Sequence, residues 1–273
     1  AGQREIAVRL PAGRSDHELA FEALAMRLWQ PWERGEACLY RLDVAVHGAG
    51  LVGSVRGAGK DQPEQTNAPR SGRSLPVPRM GPTEPAQMDA ITTRFGVRRI
   101  DMQQTDQGHP WRAVVNGQPF FLRGVNWVPL DALAGRARPE RYAALLGQAQ
   151  AAGINFVRVW GGGGRERQAF YDLCDELGLL VWQEFPIACV FLDHLPRQPA
   201  YLTLLRQEAA GMVQALRNHP SLFLWCGGNE WSPARHRRVV AVLADAVSSG
   251  DGTRPFVPAS PGPGDAHNWL VWH

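Results

Sequence analysis

No run of about 18 apolar residues occurs in this chain, so nothing in it reads as a membrane-spanning helix. No positively charged start leads into an apolar stretch, so no signal peptide is visible and a cytoplasmic or periplasmic location is favoured. Cysteine is scarce. Cys38, Cys174, Cys189 and Cys226 form no C-x-x-C pair and lie in or beside apolar segments, which points to buried free thiols rather than disulfides or zinc ligands. The net charge is only +3 and the arginines are scattered instead of striped along a helix, so nucleic acid is not an expected partner. The four glycines at 161–164 are not followed by Lys-Ser/Thr, which excludes a P-loop. What the chain does have is size and apolar content. Its 273 residues suffice for one large domain or two ordinary ones, and 44% hydrophobic residues support a sizeable core. Ten tryptophans is a high number, and several fall at expected strand ends, where rings could line a sugar site.

Two regions differ in texture. Residues 1 to about 107 carry strand-like pieces at 6–10, 39–46 and 92–100, the first two alternating at period two, which suggests a small antiparallel sandwich. Between about 48 and 88 the composition turns to Gly, Pro, Ser, Arg and Gln, too poor in large apolar groups to order itself, so a long, mostly disordered insert is expected. From 108 onward strands and helices alternate. Strands are expected at 120–127, 155–160, 179–185, 222–226 and 256–259. The first intervening helix has Pro139 near its start and Gly153 just past its end, the second stops at Gly178, and two more follow. Repeated βα units imply a parallel sheet. A doubly wound sheet would carry a glycine fingerprint after its first strand, which is missing here. Polar and aromatic groups instead follow nearly every strand, the layout of a (β/α)8 barrel's active face. The expected fold class is α/β: a partial TIM barrel of about five βα units, preceded by a β-sandwich.

The chemistry gathers at those strand ends. The buried-looking run Leu222-Phe223-Leu224-Trp225-Cys226 breaks into Gly227-Gly228-Asn229-Glu230, which delivers a carboxylate from a rigid strand to the mouth of an apolar scaffold, as a general acid requires. Arg158 and Trp160 alternate with Val157 and Val159 and so share a face. Asn126 and Trp127 follow the first strand, and Trp182, Gln183 and Glu184 come with the third. Each has a bland alternative: Arg158 as a structural arginine at the barrel rim, the tryptophans as core filler, Glu184 as an ion-pair partner, Glu230 as a surface residue after a strand.

Several of these segments resemble one family. Phe121-Leu122-Arg123-Gly124-Val125-Asn126-Trp127-Val128-Pro129, Arg158-Val159-Trp160-Gly161-Gly162-Gly163 and Val181-Trp182-Gln183-Glu184-Phe185 are similar to β-mannosidases of glycoside hydrolase family 2. So are the helix segment 170–178, Arg217-Asn218-His219-Pro220-Ser221, Trp225-Cys226-Gly227-Gly228-Asn229-Glu230 and the tail from Gly264 through His267-Asn268-Trp269 to His273. More weakly, Leu28-Trp29-Gln30-Pro31 and 93–98 resemble the immunoglobulin-like domain that precedes the barrel in that family, from which the insert at 48–88 departs.

The resemblance implies retaining hydrolysis of terminal β-mannosyl residues, with a β-mannoside or mannooligosaccharide as substrate and with neither metal nor organic cofactor. It implies that Glu230 is the acid/base, that Asn229 bonds the sugar 2-hydroxyl, that Arg158 steadies the nucleophile and that Trp160 contacts the sugar. Asn126, Trp127 and Glu184 are further candidate sugar-site residues. The family's nucleophile lies on a seventh strand, expected beyond His273, and its N-terminal sugar-binding sandwich is not represented, so an internal piece of a longer enzyme or a truncated product is expected. Another family 2 exo-hydrolase, such as an exo-β-glucosaminidase or β-galactosidase, and a non-catalytic sugar-binding or vestigial protein are the alternatives. No feature of the chain speaks to oligomeric state.

Overall fold

The computed structural model describes residues 3–7, 17–18, 20, 25–47, 52–58, 87–105, 111–262 and 265–268. These fall into two compact units, residues 1–26 with 39–95, and 27–38 with 96–273.

The first unit is a four-stranded antiparallel sheet of β1 (Gln3–Ala7), β2 (Tyr40–His47), β3 (Val52–Ala58) and β4 (Gln87–Phe95), in the order β1-β3-β2-β4. Tyr40 stacks on Phe95 at 5.7 Å between ring centres, and Asp43 accepts from Thr92 Oγ1 at 2.6 Å across the same pair of strands. Cross-strand contacts of this kind fix the register. Residues 52–58, inside the stretch expected to be mostly disordered, form a strand paired on both sides. Its order comes with backbone ladders to β1 and β2, which local composition does not register. The remainder of the expected insert, except 87–88 at the start of β4, lies outside the described residues, as do Val8–Leu10 of the first expected strand.

The second unit begins with residues 27–38. Trp29 is fully buried, its indole N–H donating to Asp175 O at 2.8 Å and its backbone N–H to Val97 O at 2.8 Å. Trp32 Nε1 donates to Ile154 O at 3.0 Å, and Asn155 Nδ2 to Glu33 at 2.8 Å. These bonds tie the segment to the βα framework. The division therefore runs between Phe95 and Gly96, with 27–38 on the C-terminal side, rather than near 107. The expected strand at 92–100 is two strands in two sheets, one ending at Phe95 and the next beginning at Ile100. A Cβ on Gly96 would stand 2.9 Å from Pro220 and 3.0 Å from Trp29. Next come β5 (Ile100–Gln104), β6 (Trp111–Val115) and β7 (Gln118–Pro119), a small antiparallel sheet.

The βα region follows the sequence rhythm closely. Strands β8 (Gly124–Trp127), β9 (Phe156–Val159), β10 (Leu180–Glu184), β11 (Leu222–Cys226) and β12 (Phe256–Val257) form one parallel sheet in sequential order. Between them run α1 (Pro139–Ala151), α2 (Gln168–Leu177), α3 (Pro199–Leu216) and α4 (Arg237–Gly250). Sequential parallel order with a helix after each of the first four strands is the arc of a (β/α)8 barrel. Pro139 opens α1, and Gly178 closes α2 in the left-handed conformation at φ 68°. The first expected strand is shorter than 120–127, since pairing begins only at Gly124, opposite Phe156.

The two faces of the sheet divide by period two. Val157, Val159, Val181, Leu222 and Trp225 join the core built with the helices. Gln183 faces the same way and accepts from Tyr171 Oη of α2 at 2.6 Å. On the other face Phe156 meets Trp182 and Phe223 edge-on at 6.3 and 6.2 Å, in line with Arg158 and Glu184. A bulge at Phe223 shifts the register by one residue and interrupts the alternation, so that Leu222 and Trp225 both join the core and Cys226 pairs with Glu184.

Candidate active site

The loops beyond β10, β11 and β12 continue to bond to one another. Asn229 bridges to Ala188 on one side and to Ser260 on the other, and Glu230 N donates to Ser260 O at 2.7 Å. Two glycines permit this approach. A Cβ on Gly227 would stand 2.1 Å from Pro258 O, and one on Gly228, itself at φ 139°, 2.1 Å from Ile187 O. Glu230 adopts φ 55°, the left-handed region that non-glycine residues rarely enter. Strain held at one residue in this way is a mark of functional positions.

The result is a cleft of about 560 Å³ lined by Asn126, Arg158, Trp160, Trp182, Cys189, Asn229, Glu230 and His267, among others. Arg158 is its hub. Nε and Nη2 donate to Glu184 Oε1 at 2.9 and 2.6 Å, Nη2 also to Asn229 Oδ1 at 2.7 Å, and Nη1 to Asn126 Oδ1 at 3.0 Å. The guanidinium carbon lies 5.8 Å from the Trp182 ring centre. Glu184 is fully buried, and its other oxygen accepts from Gly161 N at 2.7 Å. Burial pushes its carboxyl above the usual range, while the charge of Arg158 pulls the other way. Trp160 leans its indole over Gly162, where a side chain would collide with the ring. The glycine run therefore makes room for an aromatic.

Glu230 is different. Its Oε1 lies 2.8 Å from His267 Nδ1, and Oε2 accepts from Cys189 Sγ at 3.4 Å. The hydrogen bond from His267 holds its carboxyl below the usual range, with burial opposing. Cys189 departs from the expectation of buried thiols. Cys38, Cys174 and Cys226 are buried, but Cys189 is exposed in the cleft, at φ 48°.

Six of the seven expected site residues thus meet: Asn126, Arg158, Trp160, Glu184, Asn229 and Glu230. Of these Glu184 reaches the cleft only through Arg158. Trp127 does not belong with them. It pairs with Val159, one place beyond the Asn126–Arg158 pair, and so faces the helices. Its indole lies 6.2 Å from Tyr142 and 5.0 Å from Phe170 and donates to Glu166 Oε1 at 2.9 Å. Adjacent strand residues point to opposite faces, so Asn126 and Trp127 cannot both line the cleft. Sequence reasoning left out Cys189, Ser260 and His267. The tail carrying His267 stood out by resemblance, but nothing local assigned it a partner.

Among the described residues, Asp172, Asp175 and His219 have ligand atoms within 4.8 Å of one another, a spacing that could hold a cation. Those atoms already serve the fold. Asp175 takes Ser221 N at 3.0 Å and His219 Nδ1 at 2.6 Å, and His219 Nε2 meets Gln168 at 2.8 Å. No helix among the described residues is long and apolar enough to cross a membrane.

A parallel βα arc with a carboxylate, an asparagine and an arginine converging after its strands has the layout of a barrel's active face. Residues 111–261 match the glycosyl hydrolases family 2 TIM barrel domain, and the chain belongs to that family. It is 34% identical over 229 residues to a β-mannosidase B of Thermothelomyces thermophilus, a match covering 68% of this chain and 26% of that protein. It is 34% identical over 189 residues to a β-mannosidase of Bos taurus, covering 61% and 21%. A crystal structure of a β-D-mannosidase from Dictyoglomus thermophilum superposes with TM-score 0.62 at 28% identity, covering 87% of this chain and 34% of that one. The matched region thus spans a fifth to a quarter of the two curated relatives' length.

Proposed function

We propose that this chain supplies the acid/base half of a retaining β-mannosidase. The observation that supports it is the convergence of Arg158, Asn229 and Glu230 in one cleft, with the Glu230 carboxyl partly exposed there. A retaining glycosidase needs a second carboxyl about 5–5.5 Å from the first. Among the described residues none stands free for that role: Glu184 is engaged by Arg158 and Gly161, and Asp265 by Ser260. The nucleophile would come from a strand outside this sheet and stand beside Arg158, whose guanidinium would keep it ionised. Glu230 would protonate the leaving oxygen and then deprotonate water, Asn229 would bond the 2-hydroxyl, and Trp160 would pack on the sugar. The four-stranded antiparallel unit is read as the immunoglobulin-like domain preceding the barrel.

The test is a panel of aryl glycosides offered to an active enzyme assembled around this chain. Preference for the β-mannoside over the β-glucosaminide and β-galactoside is expected, and the reverse preference would assign another family 2 activity. Residues 1–273 alone should turn over none of them. Calorimetric mannose binding with no turnover in the assembled enzyme would favour a sugar-binding role.

A further inference from the structure

Behind Glu230 lies a hydrogen-bonded chain. Ser260 Oγ meets Asp265 Oδ2 at 2.5 Å and His267 Nε2 at 3.0 Å, and His267 Nδ1 meets Glu230 Oε1 at 2.8 Å. Counting protons orients it. An ionised Asp265 only accepts, and the 2.5 Å contact is the shorter of the two at Ser260, so the single hydroxyl proton points to Asp265. Ser260 then offers His267 a lone pair, which requires a proton on Nε2. At the far end, the Nδ1 to Oε1 contact needs one proton too, carried by either group. A bare Nδ1 facing a bare carboxylate would be two acceptors in contact.

We propose that Asp265 and Ser260 hold His267 with Nε2 protonated, and that His267 is a positioning residue for Glu230 which keeps one proton in the bond between them. This rests on Glu230 acting as the acid/base. Without a sugar bound, the proton rests between Nδ1 and Oε1. When a glycosidic oxygen arrives, rotation of the half-exposed carboxyl presents the proton to it. The bond from Glu230 to that proton breaks, the leaving oxygen gains the proton and keeps the electron pair of the cleaved C–O bond, and the nucleophile carboxylate bonds the anomeric carbon. In the second step water gives one proton to Glu230 while its oxygen bonds the anomeric carbon and the nucleophile leaves, and the bond to Nδ1 re-forms, leaving His267 unchanged. The other ionisable groups near the pair are Cys189 on Glu230 Oε2, Glu184 and Arg158 across the cleft, and Asp265 behind Ser260.

The experiment is nitrogen NMR of the full chain carrying ¹⁵N-histidine, between about pH 5 and 7, the range in which histidine ordinarily titrates. His267 Nε2 should be protonated throughout, whichever state Nδ1 shows. Asp265→Asn, which frees the Ser260 proton to turn toward the ring, should expose a bare Nε2 population. A bare Nε2 in the wild-type chain would overturn the proposal, and needs no variant to be seen. Carboxyl ¹³C titration adds a second reading. In His267→Ala the Glu230 titration should rise toward the ordinary carboxylate range, and an unmoved titration would also overturn it. In the assembled enzyme, His267→Ala should lower kcat/KM roughly 10–100-fold, as loss of a charge-assisted hydrogen bond does. KM should hardly change, and His267→Gln, which still donates to Glu230, should recover part of the loss. If Glu230 were not the acid, the leaving-group behaviour of its own variants would say so while the Nε2 result stood.

Discussion

Glu184 ends one strand and Glu230 follows its neighbour in the same sheet, yet their surroundings give them opposite characters. Glu184 has no exposed side-chain surface, and both its oxygens are taken by Arg158 and Gly161. Glu230 keeps 32% of its side chain exposed, is strained in backbone, and bonds His267 and Cys189. Burial dominates at the first and raises its pKa, whereas a donated hydrogen bond dominates at the second and lowers it. A carboxylate at a strand end is therefore not enough to mark the acid. What separates the two is exposure and partner: Glu184 is wholly buried against an arginine and a backbone N–H, whereas Glu230 stays partly exposed beside a histidine and a thiol.

The comparison can be broken most forcefully in an active enzyme built around this chain. Glu230→Gln should lower kcat/KM on substrates with poor leaving groups by about 10²–10⁴-fold, the usual range for general acid catalysis, with thermal stability little changed. Loss of stability instead of activity would put Glu230 in the same class as Glu184. Next in size is Arg158→Met, which strands Glu184 as a buried, unpaired charge. Removing one partner of such a pair costs about 3–5 kcal/mol, so urea unfolding should shift by a large fraction of the total. A change below about 1 kcal/mol would mean that Glu184 is not held by that pair.

The sign of pH dependence sharpens the contrast. An unfolded glutamate titrates near 4.3. Glu184 sits above that in the fold, so its contribution is present at lower pH and is lost as pH rises through its folded value. Glu230 sits below, so its contribution is present above the ordinary value and is lost as pH falls through its folded value. Glu184→Gln should flatten the loss on the alkaline side of the ordinary value, and Glu230→Gln the loss on the acid side. Denaturant melts from pH 3 to 7 would show it, and changes of the same sign in both variants would contradict it. The smallest effect concerns Trp127. Trp127→Phe keeps the ring packing but drops the bond to Glu166, a loss of about 1–2 kcal/mol. KM should not move, whereas Trp160→Ala should raise it. A KM change on Trp127→Phe would return that residue to the sugar site.

The βα region was legible because its signals are local. Pro139, Gly153 and Gly178 punctuate helices, and period-two patterns sort Arg158 from Val159 without knowledge of the fold. Trp127 was misplaced by grouping it with its neighbour Asn126 instead of applying the same alternation. The strand at 52–58 was missed because its order comes from partners on both sides, which composition does not carry. His267, Ser260 and Cys189 were illegible for a related reason. Loops after three different strands bring positions 189, 230, 260 and 267 together, and no spacing in the sequence encodes that meeting.

The most direct test of Glu230 as the acid/base is its leaving-group dependence. Glu230→Gln keeps the shape and removes the transferable proton. In an active enzyme carrying this chain, hydrolysis of aryl β-mannosides should fall steeply for phenols of high pKa. It should fall much less in the glycosylation step for an activated nitrophenol that needs little protonation. An equal loss across the whole series would contradict the assignment of Glu230 as the acid.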